Sequence, residues 1–135
     1  MTDLAAVVTA PFPEVVEAVS ESLAAQGFGV LTQIDVRDVM QRKLAAELED
    51  YLILGACNPT LAHAALEVDR HVGVLLPCNV VVRADAGHPG RVLVEAVDPQ
   101  DMVAMTGKTE LQPVADEAAR RLGEVVGEVA ARFGG

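Results

Sequence analysis

The chain predicts an α+β fold, a single mainly antiparallel or mixed sheet of about five strands with helices packed on one face. Three observations lead there. Short apolar runs alternate with helix-length segments along all 135 residues. Two of those runs are joined by the turn-rich DAGHPG at 85–90. The C-terminal segment 110–133 carries an apolar stripe at helical spacing: Val114, Ala118, Leu122, Val125, Val129 and Phe133.

Residues 3–9 (DLAAVVT) read as a short apolar strand that Pro11 and Pro13 stop. Pro13 suits the first turn of a helix over 13–27, where it loses no hydrogen bond. Val15, Val19 and Leu23 share one side of that helix, with Glu14, Glu17 and Glu21 away from it. Gly27 closes it as a C-terminal cap. The next strand, 28–36, should present Phe28, Val30, Ile34 and Val36 on one face. The charged stretch 37–50 reads as a short helix or helical connection.

Residues 51–56 (YLILGA) form a continuously apolar, central strand. Asn58 and Pro59 start a helix over 58–68, with Asn58 capping free backbone N–H groups. Residues 72–84 read as the longest strand, and the period of two puts Val74, Leu76, Cys78, Val80 and Val82 on one face. Pro77 cannot donate to a ladder, so it marks an edge or a bulge that would re-aim Cys78. Residues 91–97 return as the hairpin partner. A short helical turn opens at 98–107, with Asp98 as its cap, and the long helix closes the chain. One domain spans 1–135, with no linker and no repeat beyond two similar cysteine motifs.

Composition narrows the function. Hydrophobic residues make up 51% and aromatics 3%, so the core must be Val, Leu and Ala. Ten basic residues against twenty acidic ones give a formal charge of −10, which disfavours nucleic acid and anionic membranes as partners. The N-terminal segment lacks a basic start and is broken by prolines, so it predicts neither signal peptide nor membrane span. A cytoplasmic setting is expected. Strands this poor in polar alternation predict a homodimer.

The two cysteines carry the candidate chemistry. Cys57 precedes the helix cap, at a strand end facing a helix N-terminus, where a thiolate is stabilised. The competing reading is a small buried hydrophobe. Cys78 and Asn79 interrupt an apolar run, as a site wall or as parts of a twisted strand. The pair could close a disulfide loop worth about 3 kcal/mol, although a reducing compartment disfavours it. If their strands are neighbours, the two thiols could share a soft metal such as Cu(I) or zinc. Cys57, Asn58, Cys78 and Asn79 are therefore the candidate ligand-binding residues, Cys57 and Cys78 the candidate metal ligands, and Cys57 the candidate catalytic thiol. His63 falls on a polar face with Glu67 and Arg70, His71 lies near Asp69 and could turn to a site beside the long strand, and His88 lies in a turn. Met102 and Met105 suit a core stripe or thioether ligation, core being favoured.

The motifs LGACNP, LAHAAL, GVLLPCNVVV and VDP, with GFGVLTQIDV before them, resemble the domain-of-unknown-function family numbered 302. The likeness covers nearly the whole chain. It implies a small α/β protein, bacterial or archaeal, expected to form dimers, with no established biochemical role; the 37–51 connection is more acidic than such proteins suggest. Three functions follow: a dimeric binding module for a small ligand or soft metal at the two cysteines, a thiol-dependent redox protein or enzyme using Cys57, or a structural domain with inert cysteines.

Overall fold

The computed structural model describes residues 4–134. Asp3, the first residue of the expected opening strand, lies outside them. The elements run β1 (Ala5–Thr9), α1 (Phe12–Ala25), β2 (Gly29–Asp35), α2 (Val36–Leu44), β3 (Tyr51–Cys57), α3 (Pro59–Val68), a 3₁₀ segment (Arg70–Leu75), β4 (Cys78–Ala84), β5 (Arg91–Ala96), α4 (Asp101–Thr106), a second 3₁₀ turn (Thr109–Leu111) and α5 (Gln112–Arg132). The five strands make one fully antiparallel sheet in the order β1-β5-β4-β3-β2. The expected α+β architecture is therefore correct, and its mixed-sheet variant is resolved to antiparallel.

Alternation along the strands separates two faces. Leu54, Ala56, Cys78, Val80, Val82, Val92, Val94, Ala6 and Val8 all point to one side and are buried there. Helix α1 covers them with Val15, Val19 and Leu23, and α5 with Leu122, Val125 and Val129, all essentially inaccessible to solvent. First and last helices thus pack together on one face, as the apolar stripes require. A smaller cluster of Ala65, Val72, Met102 and Leu111 joins α3, α4 and the two 3₁₀ turns.

Helix α1 ends at Gly27, whose φ of +84° reverses the chain while Phe28 N–H donates to Leu23 O at 2.9 Å. The β4–β5 turn is closed by Asp85: its carbonyl accepts from His88 N–H at 3.2 Å and its carboxylate from Gly87 N–H at 3.0 Å.

Three sequence expectations fail. The long strand over 72–84 begins only at Cys78, and residues 70–75 coil as a 3₁₀ helix instead. Asp69 starts that coil by accepting from His71 N–H at 2.9 Å, Val72 drops into the second cluster, and Val74 is left 85% exposed. Only Cys78, Val80 and Val82 share the predicted face. The bulge expected at Pro77 is absent, since β3 and β4 pair without a register shift.

A bulge lies instead in β2, where the register slips between Val30 and Thr32 and leaves Leu31 as the extra residue. The slip inverts the alternation within the strand. Val30 is level with Ala56 of the covered face, while Ile34 is level with Ile53 of the other. Phe28 is buried ahead of the strand, and Val36 already belongs to α2. The expected single face of Phe28, Val30, Ile34 and Val36 does not form.

Candidate functional site

Where β3 leaves the sheet, its last residue, Cys57, is followed by Asn58 and then Pro59 in the first turn of α3. Asn58 is buried and both ends of its amide are engaged. Its Oδ1 accepts from Leu61 N–H at 3.2 Å, which is the cap read from sequence. Its Nδ2 donates to the Gln26 carbonyl at 3.5 Å. The same carbonyl accepts from Arg121 Nη1 at 3.0 Å. Arg121 is in turn held by Glu117, 2.7 Å from its Nε, and that carboxyl is lowered to about 2 by hydrogen bonds from Arg120 and Arg121. The end of α1, the start of α3 and the middle of α5 are thereby tied at one carbonyl.

Beneath this junction lies a narrow apolar cavity. Its walls include Cys57 and Asn58 from the strand end, Cys78 from β4, and Met102 from α4. The space open to the centre of a water molecule is about 20 Å³, room for about one water. Cys78 is 8% exposed and Cys57 half-buried, and both are free thiols. Burial pushes the Cys78 thiol up to about 11, and the charge of a Cys57 thiolate nearby pushes the same way.

Three of the four candidate residues therefore meet at one cavity, and Asn79 does not. Asn79 lies level with Gly55 on the opposite face of the sheet, exposed, so it needs no buried partner. Pro77 leans over that same Gly55, where an added Cβ would stand 2.9 Å from its Cγ.

The chain matches the family described as "Domain of unknown function DUF302" over residues 5–129. The chain belongs to this family. The crystal structure of an uncharacterized conserved DUF302 protein from Bacillus stearothermophilus is similar to it at 30% identity, spanning 92% of this chain and 94% of that one with a TM-score of 0.84. No curated protein gives a significant match.

In this DUF302 domain the histidines stand apart from the cavity. His63 pairs with Glu67 at 3.5 Å on a solvated face, and His88 with Asp85 at 3.5 Å in the hairpin turn. His71 is exposed and does not line the cavity. Among the described residues no group of three or more His, Cys, Asp and Glu could hold a metal. The third sulfur comes from a residue type outside that set: Met102, buried at the cavity, while Met105 is exposed. A spacing of three separated the two methionines in sequence, and only the second core cluster decides which one turns inward. A wider groove between α2 and 45–50 is lined by Asp35, Asp38, Glu47, Glu49 and Asp50 and contains neither cysteine. Among the described residues no helix is long and apolar enough to cross a membrane.

Proposed function

We propose that the protein is a dimeric binding module that holds a soft monovalent metal ion, Cu(I) above all, among Cys57, Cys78 and Met102. One observation supports this reading: three sulfur side chains from separate segments line one apolar cavity, and no carboxylate or histidine lines it. Thiolates and thioethers select soft ions. A volume of about 20 Å³ accepts a single atom-sized guest, whereas drug-sized ligands occupy pockets of about 300–1,000 Å³. Structural zinc needs four ligands, and a thioether is not among its usual ones. A metal ion would displace the proton that Cys78 otherwise retains, so uptake releases protons and weakens as the pH falls. A reducing, cytoplasmic setting goes with this reading, because both thiols are free. The dimer is supported by the apolar character of the sheet face that no helix covers.

Anaerobic titration with Cu(I) against a chromophoric chelator tests the site. One equivalent should bind the wild type. Cys57→Ser and Cys78→Ser should each abolish tight binding, and Met102→Leu should weaken it about tenfold, as loss of a supporting ligand does. Equal affinity in wild type and the double serine variant would end the metal reading. A Cys57–Cys78 disulfide that forms quickly and is readily reduced would favour the redox alternative.

A further inference from the structure

The helices leave the second face of the sheet bare. Across it, Ile34, Ile53 and Val81 stand level on β2, β3 and β4, and Leu93 and Val7 stand level on β5 and β1. None of these five belongs to either hydrophobic cluster. Their neighbours one residue along, Leu54, Val80, Val94 and Val8, are fully buried on the other side. An antiparallel sheet with one face in water normally alternates apolar with polar residues. This one keeps a band of five apolar residues on its second face, beside the paired Arg83 and Glu95.

We propose that this face is the interface of a two-fold dimer, covered by a second copy of the same chain. The inference rests on the dimeric part of the function proposed above and adds where the copies meet. Charge favours a second copy at this place. The chain carries a formal −10, so two copies repel one another over most of their surface. On the bare face, Arg83 and Glu95 neutralise each other, with Nε 2.7 Å from Oε1. At its margin Arg91 is offset by Asp85 at 3.9 Å. The face is close to neutral, and its charges are already paired before any desolvation.

Symmetry and size agree. A two-fold interface brings a patch against itself. The middle strand is β4, so a two-fold axis lying parallel to the sheets, in the plane between the two copies and over Val81, sets this face against itself. Five strands about 4.8 Å apart and about 20 Å long give a flat footprint of about 480 Å² per copy. Two footprints approach the about 1,000 Å² at which an interface becomes specific, before the corrugation of the side chains is added. The product is a four-layer helix–sheet–sheet–helix assembly.

Light scattering at micromolar concentration tests it. Wild type should give twice 14.2 kDa, and Val81→Glu and Leu93→Glu should give the monomer mass with an unchanged far-ultraviolet spectrum. Leu44→Glu and Val74→Glu, at exposed apolar residues elsewhere, should remain dimeric. A monomeric wild type overturns both the dimer and its interface. A dimer that survives Val81→Glu and Leu93→Glu, or is split by Leu44→Glu or Val74→Glu instead, overturns the interface alone. If the face variants do not fold, hydroxyl-radical labelling of wild type decides the matter. Labelling of Tyr51 and Leu93 should fall as concentration rises while that of Met105 stays constant, and the reverse pattern overturns the proposal.

Discussion

Cys78 stands directly opposite Ala56 in the sheet, one residue short of Cys57. Alternation therefore starts the two thiol side chains on opposite sides of the sheet, and Cys57 reaches the shared cavity from the strand end. A disulfide needs sulfurs about 2.0 Å apart with converging Cβ atoms. Two sulfurs sharing a metal sit about 4 Å apart, given bonds of about 2.3 Å. The register is thus kinder to a bridging ion than to a disulfide. Air oxidation of the metal-free protein should leave two titratable thiols per chain, and mass spectrometry showing an intramolecular bridge would contradict this.

The two thiols should differ in rate. With a pKa of about 11, Cys78 is ionised to about one part in ten thousand at pH 7, and it is buried besides. Alkylation by iodoacetamide, followed by peptide mapping, should modify Cys57 at least about 100-fold faster, because the thiolate is the nucleophile. Equal rates would mean that the cavity opens freely.

Stability should fall on the alkaline side. The Cys78 thiol ionises at about 11 in the fold against an ordinary 9.0, so the native state keeps its proton where the unfolded chain gives it up. The contribution is complete below about pH 9 and is lost as pH rises towards 11, amounting to roughly 2–3 kcal/mol. Urea unfolding between pH 8 and pH 11 should show this decline in wild type and a smaller one in Cys78→Val.

Asn58→Ala should cost about 1–2 kcal/mol by loss of the α3 cap, with no change in Cu(I) affinity. Asn58→Asp keeps an oxygen for Leu61 N–H and should fall between the two. Chemical unfolding and metal titration of the same samples separate the roles. A loss of affinity without loss of stability would make Asn58 a ligand.

Gly55→Ala should destabilise by about 1–3 kcal/mol, the usual range for overpacking. The new methyl would meet the Pro77 ring at 2.9 Å and the Thr32 hydroxyl more closely still. Thr32 can rotate away but the proline ring cannot. A urea midpoint equal to that of wild type would show that the 76–78 segment yields.

What could be read from sequence was what local pattern controls. The stripe through Leu122 and Val129, the Asn58–Pro59 start and the 85–90 turn each depend on neighbours within a few residues, and each appears as expected. The failures needed partners far along the chain. Val72, Val74 and Leu76 alternate like a strand, but Asp69 and the second core cluster coil them. The slip at Leu31 is set by pairing with β3, which no local signal in β2 reports. The two cysteines, 21 positions apart in sequence, line one cavity. Met102 joins them only through α4, and Asn79 faces away because it alternates with Cys78 along β4.

The position of β1 bears on how the chain comes off the ribosome. Its only neighbour in the sheet is β5, with Val7 opposite Leu93, and the apolar side of α1 closes against α5 near the far terminus. β1 thus waits, unpaired, until β5 emerges about 80 residues later. During that interval its apolar residues and those of α1 lack their partners, and such unpaired strands are prone to aggregate. A nascent chain stalled before residue 91 would therefore hold an exposed N-terminal strand, and such chains are natural substrates for holdases and proteases.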